Sequence, residues 1–373
     1  MTTGLPNSLM ALLLAVGMVL IVGGLKNTPE PDDGEHGPLS ELKFGVILER
    51  EYKAHSFSVP PLVIGDRMIL ADYEGHVMSV RLESGEIDWE FQGDDLGYEA
   101  PLVHEDNRLY AIAAEGFADC IDLETGESHW TVDCDATVSA PPLVVGDVLL
   151  IGTQSAELIC LDKLSGDERW RFQAGDQIHA VPRVVDNQIL VVAACSRTMH
   201  IVNLKTGVEI RQIELPGETV APFTVNDNLV YVTTMYGDAV CYDWQNTKQL
   251  WSYSFNPEIQ PTIAGGPSIV GEVMYVGGSD SFLRAFNITT RKEIWRRRIK
   301  GSVEVPLAIG QDLVIAVTPR GRVYAVDCKT GEIRWQYESN GSIIASPVIV
   351  DNTIVFANND DKVYRFGPLT SLQ

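Results

Sequence analysis

The feature that most limits what this chain can become is a phrase that returns about every forty residues. It reads "CIDLETGESHW" at 120–130, "CLDKLSGDERW" at 160–170 and "AVDCKTGEIRW" at 325–335. Tryptophans mark its end at Trp89, Trp130, Trp170, Trp251, Trp295 and Trp335, with Arg211 on the one missing beat. The step is 40 or 41 residues and widens to 44 once, between Trp251 and Trp295. A second phrase keeps the same time, as in "SVPPLVIGD" (58–66), "SAPPLVVGD" (139–147) and "ASPVIVDN" (345–352). Eight such openings stand against seven closings. Self-similarity at a period of 20–50 residues means stacked units that cannot bury their apolar faces alone.

Within each unit the local signals are those of four short strands. An apolar run such as Leu62-Val63-Ile64 leads through a Gly-Asp or Asp-Asn turn into a second β-rich run. A third, alternating run such as Arg322-Val323-Tyr324-Ala325-Val326 leads into Asp-x-x-Thr/Ser-Gly. There Asp122, Asp162, Asp243 and Asp327 are placed to bond the following backbone amides, and Gly85, Gly126, Gly166, Gly207 and Gly331 to take positive φ. The tryptophan rides on a fourth strand. Four strands per period of about forty predict an all-β, eight-bladed propeller of four-stranded antiparallel blades. Because the last unit ends after three strands, Phe44–Lys53 is predicted to return as the missing outer strand and seal the ring.

The repeat also accounts for half of the six cysteines. Ser79, Cys120, Cys160, Cys241, Ala285 and Ala325 fall in one slot, with Ile201 and Arg365 as exceptions, so the slot asks for a small buried residue. Cysteines in different blades are not expected to pair, and the pairing of Cys134 and Cys195 stays open. No Cys-x-x-Cys or Cys-x-x-Cys-His occurs, so neither a haem attachment nor a spaced zinc site is expected.

Lys plus Arg total 28 against 51 Asp plus Glu, a formal charge of −23. That field opposes nucleic acid and anionic lipid. Leu9 to Leu25 is an uncharged apolar run of 17 residues, followed by an acidic, proline-bearing stretch over 26–41. As a helix it reaches about 25 Å, near the lower limit for a bilayer. Residues 1–25 are read as an uncleaved signal-anchor helix holding an exported domain at the membrane, with a cleaved signal and a soluble product as the alternative. The domain itself is assigned to 42–368, with 369–373 as a tail.

The phrase Ala325, Asp327, Thr330, Gly331, Glu332, Trp335 resembles the repeat of PQQ-like β-propellers. That family includes the quinoprotein alcohol dehydrogenases and BamB, a lipoprotein of the outer-membrane barrel-assembly machinery. The resemblance spans roughly 42 to 367. It implies either a PQQ- and Ca²⁺-dependent oxidoreductase or a scaffold that holds partner proteins in the envelope. The enzyme branch is expected to carry adjacent cysteines and long catalytic insertions, and this chain has neither. The turn aspartates are accounted for by their turns. The expectation is therefore a non-catalytic envelope scaffold with no cofactor, barrel-assembly subunits as its possible partners and a small-ligand-binding propeller as a further alternative. One departure from BamB is the lack of a lipid-bearing cysteine near the start.

If the ring binds a partner, chain geometry puts the site on the rim where outer strands cross to the next blade. Tyr73, Glu74, Tyr98, His179, Arg197, Tyr236, Asp280 and Arg320 are expected there as exposed anchors. "TTRKEIWRRRIK" (289–300) is a basic island, with Arg296 and Arg298 on one strand face and Arg297 on the other. Two sequons, at Asn287 and Asn340, are present, whereas a phosphate loop, a nucleophile elbow and His-Glu-x-x-His are not.

Overall fold

The computed structural model describes residues 44–53, 55–93, 97–310 and 312–367. The expected N-terminal helix, the linker and the tail lie outside the described residues. The described residues form eight four-stranded antiparallel sheets. Blades 1 to 7 occupy 62–92, 103–133, 143–173, 183–214, 224–254, 268–298 and 308–338. Blade 8 takes Val348–Val350, Thr353–Ala357 and Lys362–Gly367 as its inner three strands, and Gly45–Glu51 as its outer strand. That last pairing runs from Gly45 opposite Gly367 to Glu51 opposite Lys362, so the start of the domain closes its own end.

Strand alternation builds the ring. In blade 3, Leu149, Ile151, Ile159 and Leu161 pack against blade 2. Their alternates Val148, Leu150, Leu158 and Cys160 pack against blade 4. The same division recurs all the way round, including the seam, where Val355, Ala357 and Val363 of blade 8 meet Met68, Leu70 and Val80 of blade 1. Both faces of every blade are thus buried, which is why the middle strands read as continuous apolar runs.

The recurrent phrase is the fastening between blades. Trp89, Trp130, Trp170 and Trp295 lie on the turn glycine of the following blade, at Gly126, Gly166, Gly207 and Gly331. A methyl group at Gly126 would stand 2.7 Å from the Trp89 ring, and one at Gly331 would stand 2.7 Å from that of Trp295. These glycines also hold φ of 76° and 71°, so the position demands glycine twice over. The indole N–H groups of Trp89, Trp170 and Trp295 donate to the carbonyls of Leu123, Leu204 and Cys328 at 3.0, 3.1 and 2.8 Å. The small slot has a cause as well: Ser79, Cys120, Cys160, Cys241, Ala285 and Ala325 are the cross-strand partners of Trp89, Trp130, Trp170, Trp251, Trp295 and Trp335. All six cysteines are free.

Four fastenings depart from the rule: after Trp251 the turn holds Arg291 at φ 57° in place of glycine, and Trp335 meets Phe44 with ring centroids 4.8 Å apart. At the seam the arriving strand brings Tyr52, whose hydroxyl donates to the Gly85 carbonyl at 3.0 Å. Between blades 4 and 5 the parts are exchanged. Arg211 stands opposite Ile201 in the tryptophan position, and the next turn supplies the indole as Trp244. Trp244 is fully buried and donates to Asp227 O at 3.1 Å, with the Arg211 guanidinium 5.7 Å from its ring centroid. The turn there uses Thr247 at φ 53° instead of glycine.

Candidate functional site

The two rims of the ring are built differently. On one, each Asp-x-x-Thr-Gly turn consumes its own carboxylate. Asp122 Oδ1 accepts the amides of Glu124 and Thr125 at 3.0 and 2.9 Å, and Asp327 Oδ1 does the same for Lys329 and Thr330. The Arg169 guanidinium and the turn amides hold the Asp162 carboxyl down at about 2. A small cleft of about 260 Å³ on this rim is lined by Glu105, Arg108, Asp122, His129 and Lys163, among others.

On the opposite rim, the loop between the second and third strands is sewn to the incoming crossover. Tyr73 N donates to Ser56 O at 3.2 Å, Gln154 N to Thr137 O at 2.8 Å, Met235 N to Glu218 O at 2.9 Å and Asn359 N to Ser342 O at 3.0 Å. The backbone is therefore fixed while the side chains vary freely, a suitable frame for recognition. Glu74, Arg197, Tyr236 and Arg320 are exposed on this rim, and Tyr73 and His179 are half-buried. Arg197 lies 3.5 Å from Glu214. His179 bonds Gln177 Oε1 at 2.9 Å, and burial lowers its pKa while the nearby Asp176 opposes the shift. Burial raises the Tyr73 phenol.

Two of the expected anchors are not exposed, and for one reason. Tyr98 is fully buried and donates to Asp119 Oδ2 at 2.9 Å. The Asp280 side chain is 3% exposed and grips Arg284, whose guanidinium is also boxed by Phe282 and Phe255. Asp119 and Arg284 are polar residues inside third strands where neighbouring blades carry aliphatics such as Ile159 and Val240. A buried charge needs a partner, and the adjacent loop supplies it. The signal was available: a charge interrupting the alternation of a central strand claims the nearest polar loop residue.

Sequence reasoning also passed over Ile259. The widened step before Trp295 places extra residues in the blade 5 to blade 6 crossover, where Asn256 caps a single turn by accepting Gln260 N at 2.8 Å on its carbonyl. This turn presents Ile259 at 65% exposure beside the loop of Tyr236, itself 46% exposed. The two loops touch: Thr262 Oγ1 donates to Met235 O at 3.3 Å, and Pro261 packs on Gly237. On the basic strand, Arg296 and Arg298 are exposed, whereas Arg297 turns inward and donates to Gly331 O at 2.5 Å. Among the described residues, one group of metal-competent donors converges: His55, Asp72 and His76 on blade 1.

A family profile described as "Outer membrane protein assembly factor BamB" matches residues 114–210 and 197–365. The outer membrane protein assembly factor BamB of Burkholderia pseudomallei is 24% identical over 357 residues, spanning 89% of this chain and 91% of that protein. The crystal structure of BamB from Moraxella catarrhalis superposes with a TM-score of 0.73 at 17% identity, over 87% of this chain and 99% of that one. The quinohemoprotein alcohol dehydrogenase of Comamonas testosteroni gives a TM-score of 0.72 at 12% identity, over 88% of this chain and 77% of that one. At such identities the structural likeness speaks for the fold, and chemistry has to be sought in individual sites.

Proposed function

The chain belongs to the family of outer membrane protein assembly factor BamB, and we propose that it is a non-catalytic scaffold of the cell envelope that binds a partner protein through its crossover rim. The observation that carries this reading is the pair Tyr236 and Ile259, two large exposed side chains on loops tied together by the Thr262 hydroxyl and by Pro261. Apolar and aromatic anchors on a preorganised backbone are what a protein partner can bury at small entropic cost. Arg197, Arg320 and Glu74 add exposed charges on the same rim, and such charges set orientation and encounter rate. The carboxylates of the opposite rim are committed to their turns, which supports a structural rather than a catalytic duty for them.

By family likeness the partner is a subunit of the outer-membrane assembly machinery, and the work is done outside the cytoplasm. Residues 9–25 are the proposed means of export and membrane attachment. The test is affinity capture of the full-length protein from its native envelope. Changing Tyr236 and Arg320 together to Ala, with Ile259→Ser as a second variant, should cut partner recovery about tenfold or more while leaving the melting curve in place. Undiminished recovery would refute the rim. A quinone chromophore in the purified protein would refute the non-catalytic reading.

A further inference from the structure

Asp72 departs from every other blade at its position. The counterparts that bond the same turn are Ala113, Thr153, Ala193, Thr234, Gly278, Thr318 and Asn358, none of them charged. Blade 1 alone puts a carboxylate there, and it is fully buried. Two histidines without counterparts at their own positions face it. His55 Nδ1 is bonded to Asp72 Oδ2, and His76 Nδ1 lies 3.0 Å from the same oxygen. The two imidazoles meet edge to face, with centroids 4.9 Å apart.

We propose that His55, Asp72 and His76 form a binding site for a divalent cation of the Zn²⁺ class on the crossover rim of blade 1. The division of labour within the carboxylate points this way. Asp72 Oδ1 is occupied by the amides of Glu74 and His76, at 3.0 and 2.8 Å. Those bonds, which Asn358 Oδ1 also makes to Asp360 and Lys362 in blade 8, orient the group as an outer shell orients a ligand, and Oδ2 faces both imidazoles, with His76 Nδ1 also 3.2 Å from Oδ1. The three ligand atoms lie within 4.8 Å of one another. A cation with bonds of about 2.0–2.1 Å needs them roughly 3.3 Å apart, so on binding each imidazole nitrogen moves slightly away from Oδ2, an adjustment within reach of small imidazole rotations. Two nitrogens and one oxygen select a borderline metal over Ca²⁺ or Mg²⁺, which take oxygen donors. Acidic neighbours add to the attraction: Glu90 Oε1 stands 3.8 Å from His76 Nε2, and Glu74 Oε2 accepts the amide of Ser56, the residue after His55. The side chains of His55 and His76 are 15% and 24% exposed, which leaves a path for entry.

The repeat itself supplies substitutions the ring tolerates. Asp72→Thr copies Thr153, His76→Phe copies Phe117 and His55→Ala copies Ala136. Chelator-stripped full-length protein should take up one equivalent of Zn²⁺ in equilibrium dialysis, give a Co²⁺ d–d absorption band and gain about 4 °C in Tm at saturation. Each substitution should weaken uptake at least tenfold, and the triple variant should abolish it. In the unaltered protein, Zn²⁺ should shift the imidazole resonances of His55 and His76 and leave those of His104, His129, His179 and His200 in place. Absence of saturable uptake, uptake that survives in the triple variant, or shifts confined to other histidines would overturn the site. The wild-type resonances keep the test decisive if a variant folds poorly.

Discussion

The turn rim repeats and the crossover rim does not. On the turn rim, blades 2, 3, 4 and 7 put the same atoms to the same work: an aspartate or asparagine caps, a glycine opens space and an indole from the previous blade fills it. On the crossover rim the backbone bonds and a small polar cap, as at Thr153, Thr234, Thr318 and Asn358, recur, while the exposed side chains run from Glu74 to Arg197 to Tyr236 to Arg320. Repetition therefore marks what the ring needs to close, and departure from it marks what the ring carries for other purposes. Tyr236, Ile259 and the His55–Asp72–His76 group are all departures.

The contrast breaks most completely if closure itself is removed. Without residues 42–53, blade 8 loses the partner of Lys362–Gly367, and an open strand edge invites pairing between molecules. The expected result is loss of the cooperative melt, or polymers in size-exclusion chromatography. An unchanged melting curve would refute strand closure. The exchanged fastening comes next. Trp244→Ala should destabilise by about 3–5 kcal/mol, because a fully buried indole leaves a cavity. Restoring the ordinary arrangement with Arg211→Trp, Trp244→Leu and Thr247→Gly should recover part of that loss in denaturant titration.

A smaller effect is expected at Gly331. Gly331→Ala puts a methyl against the Trp295 ring at a positive φ and should cost about 1–3 kcal/mol. The same change at an exposed rim residue such as Arg320 should fall within about 0.5 kcal/mol. Smallest is the acid response of the Asp162 turn. The folded carboxyl is held at about 2, below its ordinary value of 3.8, so its contribution is whole above pH 4 and drains away as pH falls toward 2. Arg169 is 34% exposed, so solvent screens the pair and the slope is shallow. Asp162→Asn should remove that part of the acid dependence; an identical acid-unfolding profile would show that the turn amides, and not the charge, carry the cap.

Most of the architecture was legible because periodicity survives point changes: eight openings, seven closings and one spare strand leave one way to close. The cysteine slot was legible as small and buried, but its cause was not, because the facing tryptophan appears only once strands are paired. Exposure on the rim was less readable. Tyr98 and Asp280 sit in rim loops yet answer to Asp119 and Arg284 below them, and such debts are set by cross-strand neighbours rather than by local sequence. Trp244 was visible as the seventh tryptophan but stood off the beat, and only the contact with Arg211 explains it. The metal-competent group escaped notice because His55 and His76 come from different loops, joined by a carboxylate whose oddity shows only against seven aligned blades.

The reversed fastening between blades 4 and 5 gives an otherwise interchangeable set of modules an index mark. Arg211 meets a turn that offers its own indole, Trp244, a pairing that differs from the tryptophan-on-glycine junctions elsewhere in the ring. During folding, a chain of look-alike sheets can dock out of order or trade modules with a second molecule. One mismatched plug and socket makes the correct sequence of docking energetically distinct, and it also makes loss or duplication of a module across that point costly to the lineage.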